Sequence, residues 1–154
     1  MKSAITIFAI LIVAICGITA HAQVKPKPTP SVSPTTKTAT IRATAAYSEV
    51  LLRKSELMAD LESLLVEYTE EYPKARSIKT ELTFLQKEID RLLAVAPSDA
   101  GKLSTALGKL MIRKAQVETE LVKLQADYNE EHPDLKAARR KVEVFESAIK
   151  EILN

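Results

Sequence analysis

The chain has 154 residues, with 22 Lys and Arg against 20 Asp and Glu for a net charge of +2, one cysteine, three glycines and no tryptophan. So small a charge creates no field that would draw the chain to nucleic acid or anionic lipid, and a lone cysteine excludes an internal disulfide. A composition rich in Leu, Ala, Glu and Lys, with so few glycines, argues against a β-sandwich or an α/β fold and for an all-α chain.

The N-terminus carries the pattern of an export signal. Lys2 precedes the apolar run AITIFAILIVAICGI, and AHA at Ala20 to Ala22 places small residues at both recognition positions of a signal-peptidase site. The expected signal is 1–22, cleaved after Ala22, and the expected location is periplasmic or secreted. An uncleaved anchor is the alternative and the only membrane association expected, although the run is short for a span of ~20 apolar residues. Lipid attachment at Cys16 is disfavoured by the bulky Ile15 before it. Cleavage removes the cysteine and His21, which leaves His132 as the only histidine. Neither a His pair nor a thiol is then present to hold a metal, and no cofactor is expected.

Residues 23–40 hold four prolines among Ser, Thr and Lys and read as a disordered, semi-extended tether. From about Ile41 the pattern turns helical. Val50, Leu57, Leu61, Leu64 and Tyr68 form one apolar seam, interrupted by Lys54, and Ile78, Leu82, Leu85, Ile89 and Leu92 form the next. After APSDAGK, where Ser98 is expected to cap a new helix with Asp99 in its first turn, the rhythm returns. Its third seam is Leu110, Val117, Leu121, Leu124 and Tyr128, with Lys114 interrupting, and its fourth is Leu135, Ala138, Val142, Phe145, Ile149 and Ile152. Seams this narrow suit coiled-coil-like packing.

The two halves align without gaps at an offset of sixty. Residues 51–93 and 111–153 are identical at ten of 43 positions, among them Tyr68/Tyr128, Glu70/Glu130, Glu71/Glu131 and Pro73/Pro133. This indicates a tandem duplication. Proline costs ~3 kcal/mol or more inside a helix but nothing at its first position. One helix is therefore expected to end near 69–71 and the next to begin at Pro73, with the same arrangement near 129–131 and Pro133; a continuous helix kinked at each proline is the rival. The expected fold is all-α: two tandem antiparallel hairpins of four helices, repeat 1 at 41–96 and repeat 2 at 97–154.

Catalysis finds little support, since no nucleophile with a base and no phosphate-binding loop is present, and the chain is expected not to be an enzyme. Glu70, Glu71, Glu130 and Glu131 read as a solvated face at the turn, with Tyr68, Tyr128 and His132 beside it and the tyrosine rings packing across the hairpin. The basic residues beyond each turn, Lys74, Arg76 and Lys79 in one repeat and Lys136, Arg139, Arg140 and Lys141 in the other, are candidates for a weak polyanion contact such as a polysaccharide.

The block YNEEHPDL, Tyr128 to Leu135, resembles a segment of the bacterial polysaccharide co-polymerases, the chain-length determinants and exopolysaccharide-export tyrosine kinases. Their periplasmic coiled-coil region often carries Tyr-x-x-x-His-Pro between helices. The first repeat, YTEEYPKA, is a drifted version with Tyr72 in place of His and Ala75 in place of the hydrophobic residue. The sequence shows no second apolar span and no kinase motif, so only a coiled-coil hairpin of the envelope near polysaccharide export is implied. The expected function is an exported, non-enzymatic structural or interaction protein that binds a protein partner or itself through helix seams. A periplasmic holdase-type chaperone is the alternative.

Overall fold

A computed structural model describes residues 34–154, which form five α-helices and one 3-10 helix and contain no strand. The expected signal at 1–22 and the tether up to residue 33 lie outside the described residues. The helices are α1 (Pro34–Arg42), α2 (Ala45–Leu65), α3 (Pro73–Ala94), α4 (Thr105–Asp127) and α5 (Pro133–Leu153), and the 3-10 helix, Pro97–Lys102, joins α3 to α4. None of these helices is long and apolar enough to cross a membrane.

Two boundaries depart from expectation at the start of the helical region. The tether was expected to run to residue 40, yet α1 already begins at Pro34. No proline follows Pro34 in the stretch up to Ile41, and Ile41 is fully buried in the core, which anchors the helix. The count is therefore five α-helices among the described residues rather than four. A break at Ala43 and Thr44 separates α1 from α2, and Thr44 caps α2 by accepting from the Tyr47 N–H at 3.4 Å.

Both prolines take the first position of a helix, where their missing N–H is not needed. The segments before them, 66–72 and 128–132, are not helical, which excludes a continuous kinked helix. The preceding helices stop sooner than expected, at Leu65 and Asp127, and Asp134 sits in the first turn of α5. Ser98 does not cap α4. Pro97 starts the 3-10 helix instead, and Ser104 caps α4 by accepting from the Leu107 N–H at 3.3 Å.

Packing centres on α4, which lies against α2, α3 and α5. The helices α2 and α3 also pack on each other, whereas the backbone of α5 approaches neither of them. The result is a three-helix core with α5 laid along the outside of α4, not a closed four-helix bundle. The core joins Ile41, Val50 and Leu57 to Ile78, Leu85, Ile89 and Leu92, with Leu103, Leu107, Met111, Ala115 and Ile149. On α4 the fully buried residues are Leu107, Met111 and Ala115. The seam Leu110, Val117, Leu121 and Leu124 is only half-buried. The helix thus has two apolar faces, and the one hidden deepest is not the one that heptad spacing picks out.

Gly108 makes the α2–α4 contact close. A Cβ there would lie 2.9 Å from the Ala46 carbonyl oxygen and 2.9 Å from Glu49 Cβ. The Ala46 N–H donates to the Leu103 carbonyl at 3.1 Å, fixing the same end of the two helices. Substituting Gly108→Ala should gain ~1 kcal/mol of helix propensity and lose ~1–3 kcal/mol to overpacking against rigid backbone. The expected net is a loss of stability in urea titration, growing sharply for Gly108→Val. Gly101→Ala, with nothing within 4 Å of the new methyl, should stay near neutral.

Candidate functional site

Two charged constellations are candidates. The first comprises the turns that precede Pro73 and Pro133, and they match each other in detail. The Tyr68 N–H donates to the Leu64 carbonyl at 2.9 Å, and the Tyr128 N–H to Leu124 at 2.9 Å. The Tyr72 N–H reaches Thr69 at 3.1 Å, and the His132 N–H reaches Asn129 at 3.0 Å. Tyr68 stacks on Tyr72 with ring centroids 4.4 Å apart, and Tyr128 stacks on His132 at 3.9 Å. Both tyrosines remain half-exposed, so each ring covers its own turn rather than closing the seam. His132 Nδ1 also accepts from the Asp134 N–H at 3.3 Å, a cap that Tyr72 lacks in the other repeat.

The adjacent glutamates are held by the basic residues that follow them. Glu70 pairs with Lys79 at 2.6 Å, and Glu71 pairs with Arg76, whose Nε also donates to the Glu71 carbonyl at 2.9 Å. At the other turn Glu130 pairs with Arg139 and Glu131 with Lys136. These are the same pairs shifted by sixty positions. Surface pairs of this kind add little stability, but they occupy Arg76, Lys79, Lys136 and Arg139, four of the residues singled out for polyanion contact. Arg140 and Lys141 lie beyond this pairing on α5, and Lys74 stands at the start of α3, all exposed. Among the described residues no group of three or more His, Cys, Asp or Glu is placed to hold a metal ion.

The second constellation lies inside the packing of α3, α4 and α5. Glu88 on α3 is 3% exposed, and its Oε1 accepts from Lys114 Nζ at 2.6 Å. Lys114 also stands 3.2 Å from Glu118 and 3.6 Å from Glu146 of α5. Arg91 donates to Glu146 at 2.9 Å, and Lys150 lies 3.6 Å from the other oxygen of Glu146. Glu88 Oε2 has no hydrogen-bond partner, with Arg91 at 3.9 Å. Of this group only Lys114 stood out in the sequence, and only as an interruption of a seam. The signal for Glu88 was its place between Leu85 and Leu92, on the apolar side of α3.

The equivalent lysine of the first repeat, Lys54, donates to Gln86 at 2.6 Å. Gln86 is the counterpart of Glu146, so each repeat seats its seam lysine on the same position of its return helix. Glu88 has Ala148 as its counterpart and supplies the extra link that joins α4 to α3. A mostly apolar groove of about 400 Å³ continues this α3–α4 contact toward the turns, between Ser77 and Thr80 on one side and Thr119 and Val122 on the other.

Burial alone would lower the Lys114 ammonium, yet it sits above its ordinary 10.5 because the hydrogen bonds and charges of Glu88 and Glu118 outweigh that effect. Burial would raise Glu146, but the hydrogen bond and charge of Arg91, with the charges of Lys114 and Lys150, hold it below its ordinary 4.5. A raised lysine contributes stability below its unfolded value that is lost as pH rises through its folded one. A lowered carboxylate contributes above its unfolded value and is lost as pH falls through its folded one. Stability should therefore be flat between 4.5 and 10.5 with respect to these two groups. Denaturant midpoints measured across pH should show a shallower acid limb in Glu146→Gln and a shallower alkaline limb in Lys114→Met. Lys114→Met alone should cost ~3–5 kcal/mol, because it strands the buried Glu88 carboxylate, and Glu88→Leu in the same chain should recover most of that loss.

The chain matches no protein-family model, no curated protein and no solved structure.

Proposed function

We propose that the chain is an exported, non-enzymatic interaction protein of a bacterial envelope. In this reading residues 1–22 direct export and are removed after Ala22. Two tandem antiparallel hairpins with coiled-coil-like seams then stand on a proline-rich tether and bind protein through helix faces. The observation that carries the reading is the outward side of α2, where Leu51, Leu52 and Met58 are exposed, with Val66 just past its end 85% exposed. Apolar side chains grouped along one helix mark a contact surface. The charged clusters support it indirectly. Those at the turns are engaged with each other, and the buried one holds α3, α4 and α5 together, so neither is left poised for proton transfer on a substrate.

A role near polysaccharide export rests on the likeness of YNEEHPDL to the co-polymerase segment. Since Arg76, Lys79, Lys136 and Arg139 are paired with glutamates, a polyanion contact would fall to Arg140 and Lys141 with help from Lys74. The alternative, a holdase-type chaperone, draws on the groove between α3 and α4, which is apolar enough to receive a short segment of an unfolded client.

A photo-crosslinking residue at Leu52, introduced into cells that express the full chain, separates the two readings. An interaction protein should give one or a few discrete adducts in the envelope fraction, on a chain whose mature N-terminus is Gln23. A holdase should give a continuous smear of clients and should suppress aggregation of a denatured test protein at stoichiometric concentration. Recovery of the chain from the cytoplasm alone would refute both.

A further inference from the structure

We propose that the outward face of α2 docks onto α5 of a second copy of this chain, repeating between chains the contact that repeat 2 makes on repeat 1 within one chain. This rests on the interaction reading above and names its partner. The offset of sixty equates the α4 residues Gly108, Met111, Ala115 and Thr119 with Ser48, Leu51, Ser55 and Ala59 of α2. On α4 that face is hidden, with Met111 and Ala115 at 0% exposure. On α2 the same face is open: Leu51 is 41% exposed, its neighbour Leu52 is 58% exposed, and Ser55 and Ala59 are exposed too.

The receiving surface is duplicated as well. Within the chain, Ser77 and Thr80 of α3 face α4 across the groove, and Glu88 meets Lys114 further along. Their counterparts on α5 are Ala137, Arg140 and Ala148, and Val144, the counterpart of Phe84 in the same row, is 66% exposed. The backbones that approach α5 are those of α4 and the 3-10 helix, and α3 reaches it through Arg91 on Glu146. Ala137, Arg140 and Val144 of this row remain exposed.

Charge supplies an independent argument. Thr80 and Val122 line the same groove in the contact within the chain. Their counterparts are Arg140 and Glu62, so docking on the same pattern brings opposite charges together. Among the described residues neither has an ion-pair partner inside the chain. The contact between chains is nonetheless the weaker of the two. Ser48 carries the Cβ that Gly108 lacks, so the helices cannot approach as closely at that end. Lys54 faces the counterpart of Glu88, Ala148, and finds no buried carboxylate there. Association should therefore be reversible. It is also head to tail, since each chain uses α2 on one side and α5 on the other, and such contacts extend into rings or filaments instead of closing at a two-fold dimer.

Sedimentation velocity on the purified full chain over a concentration series tests this. The chain should associate beyond a dimer, and Leu52→Glu or Val144→Glu should each shift the transition to roughly tenfold higher concentration. Both sites are exposed, so helicity and melting temperature should not change. A mixture of the two variants should form dimers and nothing larger, because one intact α2 still meets one intact α5. Glu62→Arg and Arg140→Glu should each weaken association, and the two together in one chain should restore it. A chain that stays monomeric throughout would overturn the proposal. So would association sensitive to Leu52→Glu but indifferent to Val144→Glu, which would mean α2 pairing with α2. A monomeric chain whose Leu52 still crosslinks to a different envelope protein would overturn this proposal and leave the interaction reading standing.

Discussion

The fold depends on how closely α4 can lie against α2. Gly108 removes the one Cβ that would strike the Ala46 carbonyl, and Ala46 and Ala115 are small and fully buried. Small residues at a crossing let two backbones approach, and the larger side chains around them, here Leu107, Met111 and Val50, then fill the space without voids. Because α4 is buried on this side, its heptad seam is left for α5, which packs on it from outside. The order of the layers follows from that one contact. Repeat 2 is held to repeat 1 by α4, through its first turns on α2 and through Lys114 on α3. The helix α5 follows α4 without its backbone approaching that of α2 or α3.

The buried charges work at the other side of α4. Desolvating Glu88 and Lys114 is costly, and a buried pair of this kind is weak evidence of stability, since well-packed apolar residues would serve as well or better. It does discriminate among alternatives. A slip of α4 by one helical turn would leave Glu88 unpaired in an apolar setting, whereas an all-leucine interface would tolerate several registers. Glu146 extends the constraint to α5 by linking Arg91 of α3 with Lys114 and Lys150. The small-residue contact sets the distance between the repeats, and the ion network sets their register.

Much of the helical content was legible in the sequence because the periodicity is long and the prolines fall at helix starts. Pro73 and Pro133 each open a helix because their backbone chemistry admits little else there. Other features were hidden for physical reasons. Heptad spacing marks Leu110, Val117, Leu121 and Leu124 on α4 but not the face of Met111, Ala115 and Thr119. On that face the sequence signal is Gly108, a glycine inside a helical pattern, which marks the close contact with Ala46. The start of α1 was masked by a composition suited to a tether, and Ile41, the residue that docks it, is a single apolar side chain. At the turns, the four glutamates are exposed, but their partners lie five and nine residues onward, across a break that helical spacing does not span. Glu88 carries a signal in its place between Leu85 and Leu92, but that spacing gives no indication of the lysine opposite, which lies 26 residues onward on α4.

Comparing the repeats suggests where recognition resides. At the turns, residues change within their chemical class while the arrangement stays: Arg76 becomes Lys136, Lys79 becomes Arg139, and Tyr72 becomes His132 with the ring still stacked. Arginine and lysine do not substitute for one another where a planar fork must grip an anion from two directions. They do where a point charge near a carboxylate is enough. The turns therefore behave as structural closures, tolerant of either cation. Along the helix flanks the opposite holds. There Met111 is buried and its counterpart Leu51 is exposed, yet both are apolar, while Ala115 gives way to Ser55 and Val122 to Glu62. Exposure alone would favour a polar residue at Leu51 and Leu52. An apolar side chain kept on an open helix face, in the phase that its counterpart on α4 uses for packing, is the feature on which the proposed docking of α2 on α5 rests.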